Sequence, residues 1–192
     1  MAERRRRAAT VEETKALAHP LRLRILRLCA QRELTNKQLA QRLGRDPGTV
    51  LYHVRQLAAA GFLEPGEVRT GVSGALKKPY RSTGVSWWLD GPVVDGTATS
   101  APLEAFQEEL SEAGPGSVRT YARFALHLSP DDVAELDRRI SAVLDEYVAT
   151  DDQRRHLPLH GGMVVVHRLK EDAGSVVDAS PVEGGGQDER RQ

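Results

Sequence analysis

The chain of 192 residues has a single cysteine, Cys29, so no disulfide can form within it, and a reducing cytoplasm, on the nucleoid, is the expected home. Aromatic residues are few. No apolar run approaches the ~20 residues that a membrane span needs, and no signal peptide is read at the start. G-x-S-x-G, G-x-x-x-x-G-K-[ST] and H-E-x-x-H are all missing, and neither Gly71–Gly74 nor Gly184–Gly186 precedes a helix as a phosphate cradle must. No enzyme, no cofactor and no catalytic residue are therefore expected. The length suffices for one large or two small domains with real cores.

A net charge of zero conceals a sharp asymmetry. Residues 1–90 hold 17 Lys and Arg against 8 Asp and Glu, whereas residues 91–192 hold 10 against 19. A basic half joined to an acidic one suits a first domain that meets a polyanion and a second that faces solvent or a partner that is not nucleic acid.

The basic half is organised around Thr35 to Phe62, TNKQLAQRLGRDPGTVLYHVRQLAAAGF. Thr35 and Gln38 form a capping-box pair, Leu39 and Leu43 share one face, and Gly44 suits a left-handed stop. Asp46 then caps a second helix with Pro47 in its first position, and Val50, Val54 and Leu57 repeat at helical spacing. The opposite face carries Thr49, Tyr52, His53 and Gln56. A short turn followed by a polar helix face is what a DNA major groove admits; the plainer reading is a two-helix corner with a solvated face.

Upstream, Arg4 to Arg7 form a basic run expected to be a mobile arm, either touching phosphates or a minor groove, or simply solvated. Thr10 with Glu13 opens a helix that ends near His19 and Pro20. In the next helix Leu21, Ile25, Leu28 and Cys29 share a face, which makes Cys29 a packed thiol. Downstream, alternation around Phe62–Arg69 and Lys78–Thr83 predicts a long hairpin with its tip at Gly71–Gly74. A helical corner followed by a basic hairpin is a winged helix, with the wing along the DNA backbone.

The run LAHPLRLRILRLCAQRELTNKQLAQRLGRDPGTVLYHVRQLAAAGFLEP and the later KKPYRSTG resemble the winged helix-turn-helix domain of ArsR-type bacterial transcriptional regulators over about residues 10–85, especially actinobacterial members without metal sites. The resemblance implies a homodimer on a pseudo-palindromic operator of double-stranded DNA, usually as a repressor. It places the groove-reading residues at Gly48, Thr49, Tyr52 and His53. Leu51 departs from the family by standing where many relatives have serine. Metal-sensing members carry a cysteine pair before the corner or acidic and histidine ligands in a later helix. This chain has neither, and Pro158 between His156 and His160 argues against a helix holding both toward one ion, so no metal is expected.

In the acidic half, Val85–Leu89 reads as a strand with Trp87 and Trp88 on opposite faces, and Ala101 to Ala113 as an amphipathic helix through Leu103, Phe106 and Leu110. Tyr121–Leu128 alternates like a half-buried strand. Ser129-Pro130-Asp131-Asp132 starts a helix to about Ala149, and Gly162–Leu169 reads as a last strand.

The expected fold class is therefore α+β. A basic arm (1–9) leads into a winged helix-turn-helix domain (10–84), then a small β-α-β-α-β domain (85–170) and a disordered tail (171–192). The acidic domain is read first as a dimerisation unit and second as a pocket for a small-molecule or protein effector, with Trp87, Trp88, Tyr121 and His127 as candidate lining or interface residues. Gly48, Thr49, Tyr52, His53 and Gln56 are the expected base readers. Thr35, Lys37, Arg45, Arg55, Arg69, Lys77, Lys78 and Arg81 are the expected phosphate contacts. The rival reading is a protein-interaction module that docks through its acidic domain.

Overall fold

The computed structural model describes residues 6–70, 76–90 and 100–169. Its chain divides into two units, residues 1–162 and 163–192. In the first unit, capping signals become helix starts. Thr10 and Glu13 close a capping box on α1 (Val11–Leu17). His19 caps α2 (Pro20–Gln31), its Nδ1 accepting from the Leu21 N–H at 3.1 Å. Thr35 and Gln38 close a second box on α3 (Asn36–Leu43), which ends on Gly44 at φ 59°, a left-handed position that glycine occupies without strain. Asp46 then caps α4 (Pro47–Ala59) by accepting from the Thr49 N–H at 2.9 Å.

These helices share one core in which Ile25, Leu39, Val50, Val54 and Leu57 are fully buried, joined by Phe62. Each such side chain contributes about 1.5–3 kcal/mol relative to exposure. The Asn36 amide donates to the Pro47 carbonyl at 2.9 Å and so ties the start of α3 to the start of α4.

Strand β2 (Leu34–Thr35) lies at one edge of a three-stranded antiparallel sheet ordered β2-β6-β3, with β6 (Pro79–Ser82) central and β3 (Leu63–Pro65) outside. Beyond it β4 (Arg69–Thr70) pairs with β5 (Leu76–Lys77). The expected hairpin is thus a two-part wing, its ladder interrupted between Gly66 and Val68, while the tip at 71–75 lies outside the described residues. Helix, turn, helix and wing together form a winged helix-turn-helix fold.

Several elements differ from expectation. Arg6 and Arg7 are not a loose arm: β1 (Arg7–Ala8) pairs in parallel with β7 (Leu89–Asp90), and both arginines are engaged by acids. Arg4 and Arg5 lie outside the described residues. Val85–Trp88 is a 3-10 turn, entered through Gly84 at φ 72°, rather than a strand. Residues 100–169 contain α5 (Ser100–Ala113) and α6 (Pro130–Ala149) but no strand among the described residues, so the β-α-β-α-β arrangement is not formed. Alternation sets which side chains share a face, but a strand also needs a neighbour for its backbone, and residues 118–128 make no backbone hydrogen bond among the described residues. Their apolar side chains stay exposed, Tyr121 at 80%. The tail expected to be disordered, 171–192, lies outside the described residues.

Helix α5 also differs in its inward face. It packs on α2 through buried Ala101 and Ala105, while Leu103 and Leu110 turn outward. The reason is charge: the buried Arg24 guanidinium on α2 is held by Glu108 at 2.5 Å and by Glu112, and both acids lie on the same face of α5 as the two alanines.

Candidate nucleic-acid interface

Helix α4 is fixed on its inner side by Val50, Val54 and Leu57, so the residues between them have determined directions. Thr49, Tyr52, Arg55 and Gln56 all point to solvent, with Tyr52 58% exposed. Gly48 is exposed in the first turn. A Cβ added there would approach Asp46 Oδ1 to 3.0 Å, so glycine lets the capping carboxylate sit close to the helix start. Thr35 is half-buried in its capping box, and Lys37 and Arg45 are exposed near the amino ends of the two helices.

His53 departs from expectation. It is only 7% exposed and turns away from the polar face, its ring centroid 4.4 Å from that of His19. A group so enclosed does not reach a base edge. Its position follows from the helical wheel: His53 lies beside Val54 and one turn from Leu57, at the border of the two faces, and contact with α2 decides the side. Burial pushes the pKa of His53 down, with the His19 ring and the Arg22 guanidinium adding to the effect. His19 is lowered by burial first, then by Arg22, and raised by Glu104. Both shifts favour the neutral ring, the form in which His19 Nδ1 can accept from the Leu21 N–H. His53 Nδ1 and Arg22 Nε are buried without a hydrogen-bond partner among the described residues. His19 and Arg22 were missed as neighbours of α4; the one local signal was a histidine directly before Pro20, the place of a cap.

On the wing, Lys77 and Lys78 are exposed, with Lys78 Nζ 6.0 Å from the Tyr80 ring centroid. Arg81 is exposed but donates to Glu64 across the strand pair at 2.9 Å, so its charge is partly answered within the sheet. Arg69 belongs to β4, and its side chain lies outside the described residues.

The four candidate effector residues are not brought together. Trp87 and Trp88 are half-buried, whereas Tyr121 and His127 lie exposed on the segment before α6. Trp87 donates from Nε1 to Asp145 Oδ1 at 2.7 Å, and Arg6 bonds the same oxygen at 3.0 Å while stacking on the Trp87 ring. Beside this junction is an open cleft of about 510 Å3 lined by Arg6, Leu89 and the polar side of α6; none of the four lines it. Arg7 is bonded to Glu13 at 2.6 and 2.8 Å, and its guanidinium holds that carboxyl well down, at about 2. Cys29 is buried in the core and its thiol is pushed up to about 12 by burial, which leaves it uncharged and unreactive.

Comparison with known proteins gives one family match, to a helix-turn-helix domain, over residues 17–65. No curated protein matches the chain at a significant level. Among solved structures, the homodimeric winged helix-turn-helix DNA-binding domain (fragment 1–100) of Mb0332 from Mycobacterium bovis, a possible ArsR-family transcriptional regulator, is 24% identical. That alignment covers 56% of this chain and 82% of that one at a TM-score of 0.32. The adhesin competence repressor of Streptococcus pyogenes is 15% identical over 66% of this chain and 79% of that one, at 0.31. The transcriptional regulator SlyA is 16% identical over 68% and 75%, at 0.28. On its own geometry and on the family match, the segment 17–65 is the helix-turn-helix part of a winged helix-turn-helix fold.

Proposed function

We propose that the protein is a sequence-specific DNA-binding transcriptional regulator, acting as a homodimeric repressor on a pseudo-palindromic operator. The observation that carries this reading is the outer face of α4, where Thr49, Tyr52 and Gln56 stand exposed on a helix whose other side is locked into the core. A rigid helix presenting hydrogen-bonding side chains beside Arg45 and Arg55 suits a major groove, and exposed Lys77 and Lys78 on the wing suit the adjoining phosphates.

In this reading α4 enters the groove from its amino end and Gly48 permits close approach. Thr49, Tyr52 and Gln56 specify bases, while Lys37, Arg45, Arg55 and the wing cations neutralise phosphate, with Thr35 at the start of α3 as a further backbone contact. His53 supports the helix from behind instead of reading bases. Two half-sites lie about 10–10.5 bp apart, or a multiple of that spacing. The sequence resemblance to ArsR-type regulators supports the dimer and the repressing role, and the acidic part after the wing is the place for any small-molecule or protein effector.

Selection of bound DNA from a random pool by the full chain, followed by salt titration, tests the reading. A two-fold symmetric motif whose affinity falls steeply with salt is expected. Failure to enrich any sequence, together with no binding to random DNA at low salt, would move the protein to the interaction-module reading.

A further inference from the structure

Helix α6 is turned inside out relative to its own domain. Its polar side, with Asp137, Arg138, Ser141, Ala142 and Asp145, lines the cleft toward Arg6 and Leu89, and Asp145 makes the bonds to Arg6 and Trp87. No residue of α6 is buried. Its apolar residues lie on the other side, where Val143 is 55% and Tyr147 64% exposed while Leu136 and Ile140 are half-buried. They also have a specific order: Val133, Leu136, Ile140, Val143 and Tyr147 follow at alternating steps of three and four, the spacing of a seam that packs against another helix.

We propose that this seam is the contact with a second copy of the chain, the two α6 helices lying antiparallel. The inference rests on the homodimer reading above and specifies where the dimer is held. Charge at the seam's edge selects both the partner and the direction. In the antiparallel register that sets Ile140 opposite Val143 and Leu136 opposite Tyr147, Arg139 of each copy meets Glu146 of the other, two reciprocal ion pairs under one two-fold axis. In the parallel register, Asp132 would face Asp137 and Glu146 would face Asp151 just past the helix, two like-charge contacts, while Arg139 would face Leu144 and gain no acid. Arg139 is 72% exposed and shares the Glu135 carboxylate with Arg138, so it is free to change partners without leaving that acid alone.

Sedimentation equilibrium of the full chain is the test. The wild type should be a dimer at micromolar concentration. Arg139→Glu and Glu146→Arg should each weaken the dimer by at least about tenfold, and the doubly exchanged variant should recover most of it. Val143→Asp, at a position exposed in the protomer, should give a folded monomer by circular dichroism. A monomeric wild type overturns the inference, and so does a dimer indifferent to these variants. If residues 118–128 of the same chain cover the seam instead, the wild type is monomeric and Val143→Asp unfolds it. Binding of each variant to a single half-site duplex keeps the two readings apart. Half-site binding with an unchanged dimer removes the α6 contact and leaves the regulator, whereas dissociable dimers that bind no DNA do the reverse.

Discussion

Tyr52 and His53 are neighbours with opposite surroundings, and exchanging each for alanine separates reading from support. Tyr52→Ala should leave thermal stability almost unchanged, because the ring is 58% exposed, yet weaken the selected operator by about 1–3 kcal/mol relative to random DNA. His53→Ala should lower the melting temperature, since it empties a buried site beside His19, while the ranking of DNA sequences stays the same. Equal losses on operator and random DNA for Tyr52→Ala would end its assignment as a reader. The same pair of histidines predicts a pH dependence. Both have pKa values lowered by burial, so the unfolded chain binds more protons and the stabilisation is present above the ordinary histidine value. Stability should hold above about pH 6.5 and decline as pH falls below it, most directly because a protonated His19 Nδ1 cannot accept from the Leu21 N–H. Chemical denaturation at a series of pH values, with His53→Phe showing a shallower decline, checks this.

In the proposed pose the wing and α4 divide the work between elements. Lys77 and Lys78 sit on or next to β5, exposed and remote from base edges in the proposed pose, so replacing both by alanine should weaken all duplexes alike. The slope of log affinity against log salt should fall by roughly one unit per lost contact, and a selective loss on operator alone would contradict the assignment. At this scale much of the fold was legible in advance. The capping boxes at Thr10 and Thr35, the Asp46-Pro47 start, the left-handed Gly44 and the Ser129-Pro130 start are decided within one helical turn, and each helix begins where its cap stands. Pairing was not legible in the same way. Val85–Leu89 and Tyr121–Leu128 alternate as strands do, but alternation supplies no neighbour: Val85–Trp88 is a 3-10 turn, and 121–128 is irregular with no backbone hydrogen bond among the described residues.

For the molecule as a whole, the junction of Arg6, Trp87 and Asp145 joins the amino-terminal end, the turn after the wing and α6, residues far apart in sequence. Asp145→Ala should release α6 from the winged helix without unfolding either. Amide exchange should quicken across residues 130–149 while Val50, Val54 and Leu57 keep their protection; uniform quickening throughout would show that the junction supports the whole fold.

What the sequence alone determined was local: helix starts and stops, the apolar stripes that bury Val50, Val54 and Leu57, the exposed polar row on α4, and the basic and acidic halves. Caps, turns and helical period act between residues at most a few positions apart, so their outcome is written in adjacent letters. Only the tertiary structure decided that His53 turns inward onto His19, that α5 docks by its alanines because Arg24 lies between Glu108 and Glu112, that Arg6 is bound by Asp145, and that α6 leaves Val133, Val143 and Tyr147 exposed. Each of these depends on which charge or ring arrives from a distant element, and burial makes that meeting, rather than local preference, the larger energy.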